Sequence, residues 1–138
     1  MNANIQALGP LVDIRDLTVR FGQAQPVLHG VSLQLHRGEC LALVGESGSG
    51  KSVTARTLAG LTGRGAQVHA AKLAFQGIDL RQLHERDWQR LRGASIGFVM
   101  QDALGALDPL RRVGAEIEEP LQLHTALGLE ARRLRVLE

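Results

Sequence analysis

The segment "GESGSGKS", residues 45–52, holds residue types that are well suited to binding a phosphate group. It matches the spacing G-x-x-x-x-G-K-[ST], in which a glycine-rich turn leads into a lysine and a hydroxyl residue. Its members are Gly45, Glu46, Ser47, Gly48, Ser49, Gly50, Lys51 and Ser52. We predict that this segment forms a phosphate-binding loop.

Each residue type in the pattern has a chemical reason. Gly48 and Gly50 allow the backbone to curl, so that successive N–H groups face the phosphate oxygens. Lys51 supplies a mobile positive charge for β- and γ-phosphate oxygens. The Ser52 hydroxyl can serve as one ligand in a Mg²⁺ shell that otherwise keeps its waters. A helix that begins near Lys51 adds its positive N-terminal end.

A plain Gly/Ser turn between a strand and a helix is the alternative interpretation of this segment. The spacing G-x-G-x-x-G, typical of dinucleotide-binding folds, is excluded because Val53 stands where a third glycine would be needed.

The composition limits the classes of protein that this chain can represent. With 138 residues, 44% of them hydrophobic, the chain fits one ordinary domain. Its 16 basic and 14 acidic residues give a net charge of +2, which is too balanced to predict a nucleic-acid partner. No run approaches the roughly 20 apolar residues of a membrane span, and no signal peptide pattern is present, so we expect a soluble protein.

The single cysteine, Cys40, opens an apolar run and is predicted to be buried and inert.

Two stretches near the N-terminus predict an antiparallel hairpin. Residues 11–21 and 27–38 alternate apolar and polar side chains, and a short turn at 22–26 joins them. The alternation slips at Arg15 and Asp16, which predicts a β-bulge at that point.

Further elements surround the loop. Residues 40–45 and 95–100 are continuous apolar runs, which predict strands buried on both faces. Residues 52–61 predict a helix directly after the loop. The remaining predicted elements are a strand at 67–77 and helices at 83–93, 113–128 and 129–138, with Pro120 expected to kink or break the helix that contains it.

Two other classes of protein, the small GTPases and the nucleotide kinases, also contain a phosphate loop of this kind. A small GTPase shares the loop, and "DALG" at 102–105 fits its D-x-x-G motif. However, no N-K-x-D motif for reading guanine occurs, and two predicted strands precede the loop strand, where a GTPase or a nucleotide kinase usually begins with it.

The order of motifs resembles that of the ATP-binding cassette (ABC) transporter ATPases. "LTVRF", ending at Phe21, precedes "VLHGVSLQLHRGECLALVGESGSGKS", and "IGFVMQD", which contains Gln101, follows. The resemblance spans about residues 11–125. Within the family, "VGESGSGKSVTARTLAGL" and "GFVMQDALGALDPLRRVGAEIEEPL" resemble the ATPase subunits of dipeptide and oligopeptide importers.

The resemblance implies an α/β fold, namely a P-loop NTPase core with an N-terminal antiparallel β-subdomain and the start of a helical subdomain. On this basis residues 1–10 are a leader, and residues 11–112 are the N-terminal part of the ABC ATPase domain. Residues 113–138 begin the helical subdomain.

The resemblance also implies roles for individual residues. Phe21 corresponds to the aromatic residue that stacks on adenine, and residues 45–52 wrap the phosphates. Gln101 corresponds to the Q-loop glutamine, which reaches Mg²⁺ or the attacking water and couples the site to the membrane partner. The implied cofactors are ATP and Mg²⁺, with Ser52 and Gln101 as metal-binding residues. The implied partners are the membrane (permease) subunits of a transporter and a second ATPase subunit, at the inner face of the plasma membrane in the cytoplasm.

Three parts of the family's catalytic set have no match in these 138 residues: the L-S-G-G-Q signature, an apolar run ending in Asp-Glu, and a switch histidine after it. The Asp-Glu pair supplies a metal-holding carboxylate and the group that orients water. We therefore expect an ABC-type ATPase by family whose isolated chain binds ATP weakly and does not turn it over. The chain is then either a fragment of a longer ATPase, for example through truncation of its gene, or a stand-alone nucleotide-binding or interaction module without catalysis.

Overall fold

The computed structural model describes residues 9–101, 105 and 107–138 of the chain. These residues form two compact units, of which the first ends at His84 and the second begins at Glu85. Most of the leader predicted at 1–10 lies outside the described residues, as do residues 102–104 of the "DALG" sequence. The subdomain boundary expected between residues 112 and 113 stays a prediction.

A five-stranded antiparallel sheet dominates the first unit. Its strands are β1 (Val12–Phe21), β2 (Leu28–Leu35), β3 (Ala66–His69), β4 (Lys72–Phe75) and β5 (Ile78–Asp79). β1 pairs with β2 along one edge, and along the other edge with β4 near its start and β3 near its end. β5 pairs with β4. The predicted antiparallel hairpin is confirmed.

A β-bulge divides β1 at the position where the apolar alternation slips. The register with β2 shifts between Ile14 and Leu17, and Asp16 has a φ of 53°. The Asp16 N–H donates to Ser32 Oγ at 2.9 Å. The extra residue allows Ile14 and Leu17 to be buried on one side although their spacing is odd. The predicted bulge is confirmed, and the break between β3 and β4 lies opposite it.

The described core of this unit is mostly aliphatic, and β1 contributes four of its ten side chains. Its buried apolar side chains are Val12, Ile14, Leu17, Val19, Leu28, Ala59, Leu73, Ala74, Phe75 and Leu80. Asp13 is buried beside them and accepts hydrogen bonds from Lys72 Nζ at 2.7 Å and from Arg15. The hydrogen bond from Lys72, with help from Arg15, lowers the pKa of Asp13 from 3.8 to about 2 against the opposing effect of burial. The ionised pair therefore stabilises the fold above pH 3.8, and this contribution is lost as the pH falls toward 2.

Helix α1 (Lys51–Leu58) directly follows the glycine-rich segment, as the sequence predicts, although it is shorter than 52–61. Gly50 is the N-cap of this helix, and its left-handed backbone conformation ends the loop. Thr54 and Thr57 form its buried face. After α1 the chain turns through a loop toward β3, and a 3₁₀ turn at Leu80–Gln82 follows β5.

The prediction of buried strands at 40–45 and 95–100 is wrong for the described structure. Residues 40–45 have no strand conformation and are exposed, with Val44 at 90% exposure. In the second segment Ile96 makes one isolated parallel bridge to Arg92, and Val99 is 96% exposed. A strand is buried on both faces only where neighbouring strands and covering layers flank it. No described residue pairs with 40–45, so the apolar run has no sheet to join. Cys40 is exposed for the same reason, which overturns the prediction that it is buried.

The described residues of the second unit include three α-helices. They are α2 (Glu85–Leu91), α3 (Val113–His124) and α4 (Leu129–Val136). α3 continues past Pro120, so of the two predicted effects of this proline, a kink or a break, the break is wrong. Proline fixes a φ close to the helical value and removes one N–H donor. Helical hydrogen bonding resumes beyond Pro120, since the Thr125 N–H donates to the Leu121 carbonyl at 3.1 Å.

An ion pair between Arg132 and Glu118, at 3.0 Å, joins α4 to α3.

Candidate phosphate-binding site

Lys51 is held by the backbone of its own loop. Its Nζ donates to the carbonyl oxygens of Gly45, at 2.8 Å, and Glu46, at 2.6 Å, and to Ser49 Oγ at 3.3 Å. The loop is closed by a turn in which the Ser49 N–H donates to the Glu46 carbonyl at 3.2 Å. The ammonium group is therefore fixed at the loop, with the long contact to Ser49 as the bond most readily exchanged for another acceptor.

The loop glycines adopt backbone conformations that residues with side chains avoid. Gly48 and Gly50 have φ values of 82° and 88°. A Cβ on Gly50 would lie 2.3 Å from Leu28 Cδ2 and 3.2 Å from the Val27 carbonyl oxygen. The positive φ values match the predicted curl at both positions, whereas an added Cβ at Gly48 would meet nothing within 4 Å. The predicted close approach of a phosphate to these glycines stays a prediction.

The N-terminal end of α1 is open to an anion. Its N-cap, Gly50, has no side chain to satisfy the first N–H groups, and the first turn contains no acidic residue. Residues 46–49 and Ser52 are exposed around it. The first turn of an α-helix presents unpaired N–H groups and a partial positive charge, which favour phosphate.

This set of groups fits a magnesium–nucleotide phosphate. The loop brings together a fixed cation, the unpaired N–H groups of the first turn of α1 and the backbone of glycine residues. A phosphate cradle requires these three features. Among the described residues no group of three or more His, Cys, Asp or Glu side chains is placed to hold a metal ion. Magnesium bound here would take its ligands mostly from phosphate and water, with the Ser52 hydroxyl as the loop's own ligand.

The other two predicted site residues, Phe21 and Gln101, lie outside the loop. Phe21, half-buried at the end of β1, has its ring beside Gly63, in the loop after α1, where an added Cβ would lie 3.9 Å from Phe21 Cε1. Gln101 is exposed and belongs to the second unit. The adenine and metal roles of these two residues stay predictions.

Sequence reasoning missed two residues that contact Gly50. Leu28 of β2 packs against it, and Thr54 of α1 donates its hydroxyl to the Gly50 carbonyl at 3.1 Å. A threonine four residues after a helix N-cap often bonds back to that carbonyl, so the spacing of Gly50 and Thr54 could have indicated this contact. The contact with Leu28 has no comparable local signal.

Comparison with known proteins gives consistent matches. The ABC transporter family profile matches residues 28–134, which is most of the chain. The dipeptide transport ATP-binding protein DppD of Lactococcus lactis is 42% identical over 118 residues, covering 83% of this chain and 34% of DppD. The oligopeptide transport ATP-binding protein OppD of Bacillus subtilis is 38% identical over 133 residues, covering 93% and 37%. The peptidoglycan transport ATP-binding protein YejF of Agrobacterium fabrum is 42% identical over 134 residues, covering 94% and 24%.

The chain therefore spans about a third, or less, of the length of these relatives. Within its described part, no helix is both long and apolar enough to cross a membrane. The profile match, which includes the whole phosphate loop, and the three relatives point the same way. This chain belongs to the ABC transporter family.

Proposed function

We propose that this chain binds the phosphates of Mg-ATP through residues 45–52, as part of the ATP-binding subunit of an ABC transporter. The observation that carries the proposal is the Lys51 ammonium, held by two loop carbonyls beside an uncapped helix start. A cation fixed in advance loses less conformational entropy when phosphate binds than a free lysine side chain would.

The remaining site residues complete the proposed assignment. Lys51 balances the charge of the β- and γ-phosphates, and Ser52 ligates Mg²⁺, which when bound neutralises phosphate charge. Phe21 offers a ring face for adenine, a contact of about 1–3 kcal/mol in comparable sites. Gln101 is the proposed link between the metal and the transporter's membrane subunits.

We further propose that the substrate class is peptides or similar small solutes. The support is what similar proteins transport, since they include a dipeptide and an oligopeptide transport ATP-binding protein. The proposed partners are permease subunits and a second ATPase subunit, on the cytoplasmic side of the membrane. Hydrolysis is not proposed for these 138 residues alone, because the signature sequence and the Asp-Glu pair do not occur among them.

Calorimetric titration with Mg-ATP tests the proposal. The chain should bind, and Lys51→Ala should weaken the affinity about tenfold or more, because it removes the charge that contacts phosphate. Arg56→Ala is the matched control, since it removes an exposed positive charge from the last turn of the same helix. It should leave the affinity within about twofold of the original.

Phosphate release measured in the same samples should stay at background. Equal affinities for the original chain and Lys51→Ala would contradict the proposed site, and steady release that disappears in Lys51→Ala would contradict binding without turnover.

A further inference from the structure

We propose that Thr54 is a positioning residue for the phosphate loop. It fixes the peptide group between Gly50 and Lys51, so that the Lys51 N–H points out of the start of α1. This inference rests on the proposed phosphate binding and adds to it a residue outside the G-x-x-x-x-G-K-[ST] pattern.

The Gly50 carbonyl accepts two hydrogen bonds from one residue. The Thr54 N–H donates to it at 2.9 Å, and Thr54 Oγ1 donates at 3.1 Å. Thr54 is only 3% exposed, so its hydroxyl has little access to competing water. A planar trans peptide directs its N–H opposite to its C=O. Fixing this carbonyl toward the helix body therefore directs the Lys51 N–H away from it, toward the loop.

A second contact limits the same peptide from the other side. Gly50 is buried, and the position of a Cβ on it would lie 2.3 Å from Leu28 Cδ2. Leu28 is itself 2% exposed and belongs to β2. Leu28 therefore packs closely against Gly50 from the side of β2, while Thr54 holds the Gly50 carbonyl from the side of α1.

Helix α1 provides a matched control for Thr54. Thr57 is also 3% exposed, and its Oγ1 donates to the carbonyl four residues earlier, that of Val53, at 2.8 Å. It also accepts a hydrogen bond from Thr62 Oγ1 at 3.3 Å. Replacing either threonine by valine removes a buried hydroxyl of the same kind, but only Thr54 contacts the loop.

The test compares Thr54→Val with Thr57→Val by urea unfolding and by calorimetric titration with Mg-ATP. Both should lose stability to a similar degree. Thr54→Val should weaken Mg-ATP binding about three- to tenfold, whereas Thr57→Val should leave it within about twofold. A merely structural role for Thr54 would lower both affinities equally.

The pair Thr54→Ser and Thr54→Ala serves if the valine variant does not fold, because these two differ only in the hydroxyl oxygen. The serine variant should retain the original affinity, and the alanine variant should bind Mg-ATP about three- to tenfold more weakly. Equal affinities for Thr54→Val and Thr57→Val, or for the serine and alanine variants, would overturn the inference while leaving the proposed function intact. Absence of binding by the original chain would instead refute the proposed function, and this inference with it.

Discussion

Single residues determine the shape of the loop that we propose binds phosphate. Lys51 contributes a charge, but its position depends on carbonyl groups that only a curled backbone can present. Gly50 makes that curl compatible with the start of α1, because it adopts a φ of 88° against the side chain of Leu28. The geometry of the loop therefore depends on the absence of a side chain at Gly50 as well as on the Lys51 contacts.

The substitution Gly50→Ala should be more damaging than the same change at Gly65. Both glycines have positive φ, 88° and 75°, so both substitutions carry the strain of a left-handed alanine, about 1–2 kcal/mol. An added Cβ at Gly65 meets nothing within 4 Å, whereas at Gly50 it collides with Leu28. We expect Gly50→Ala to lose about 1–3 kcal/mol more in the free energy of unfolding than Gly65→Ala, as measured in urea.

Mg-ATP binding should be lost in Gly50→Ala and retained in Gly65→Ala. Equal losses of stability and affinity in the two variants would show that the contact with Leu28 does not restrict the loop.

At the scale of elements, local sequence patterns predict an element correctly where the residues that it pairs with are close to it in the sequence. The hairpin of β1 and β2, the bulge and helix α1 are of this kind. The apolar runs at 40–45 and 95–100 indicate a preference for burial, but they contain no information on which strands would flank them. The helix containing Pro120 is not broken, because the proline removes one backbone hydrogen bond and the other bonds of the helix remain.

The bulge in β1 gives a prediction about an element. Asp16 has a φ of 53°, which aspartate and glycine tolerate and β-branched residues do not. Asp16→Val should therefore destabilise the chain by about 1–2 kcal/mol, while Asp16→Gly should stay within about 1 kcal/mol of the original. Urea denaturation followed by circular dichroism measures both. Similar stabilities for the two variants would mean that the bulge relocates, and that Asp16 does not define it.

At the scale of the whole molecule, the phosphate loop could be predicted because its functional groups are adjacent in sequence. Their spacing predicts the glycine curl and the start of α1, both of which the structure has, while the phosphate-binding role of the segment stays a proposal. The supporting contacts of Gly50 depend on tertiary packing between β2 and α1, which the spacing does not contain. Gln101 belongs to the second compact unit, and its predicted role stays a prediction.

The central claim is that residues 45–52 bind the phosphates of ATP. The most direct test follows the backbone amide signals of the ¹⁵N-labelled chain by nuclear magnetic resonance during titration with Mg-ATP. The account predicts that the largest shift changes occur at residues 45–53, that pyrophosphate with Mg²⁺ reproduces them, and that adenosine does not. Changes centred outside these residues, or none at millimolar Mg-ATP, would contradict it.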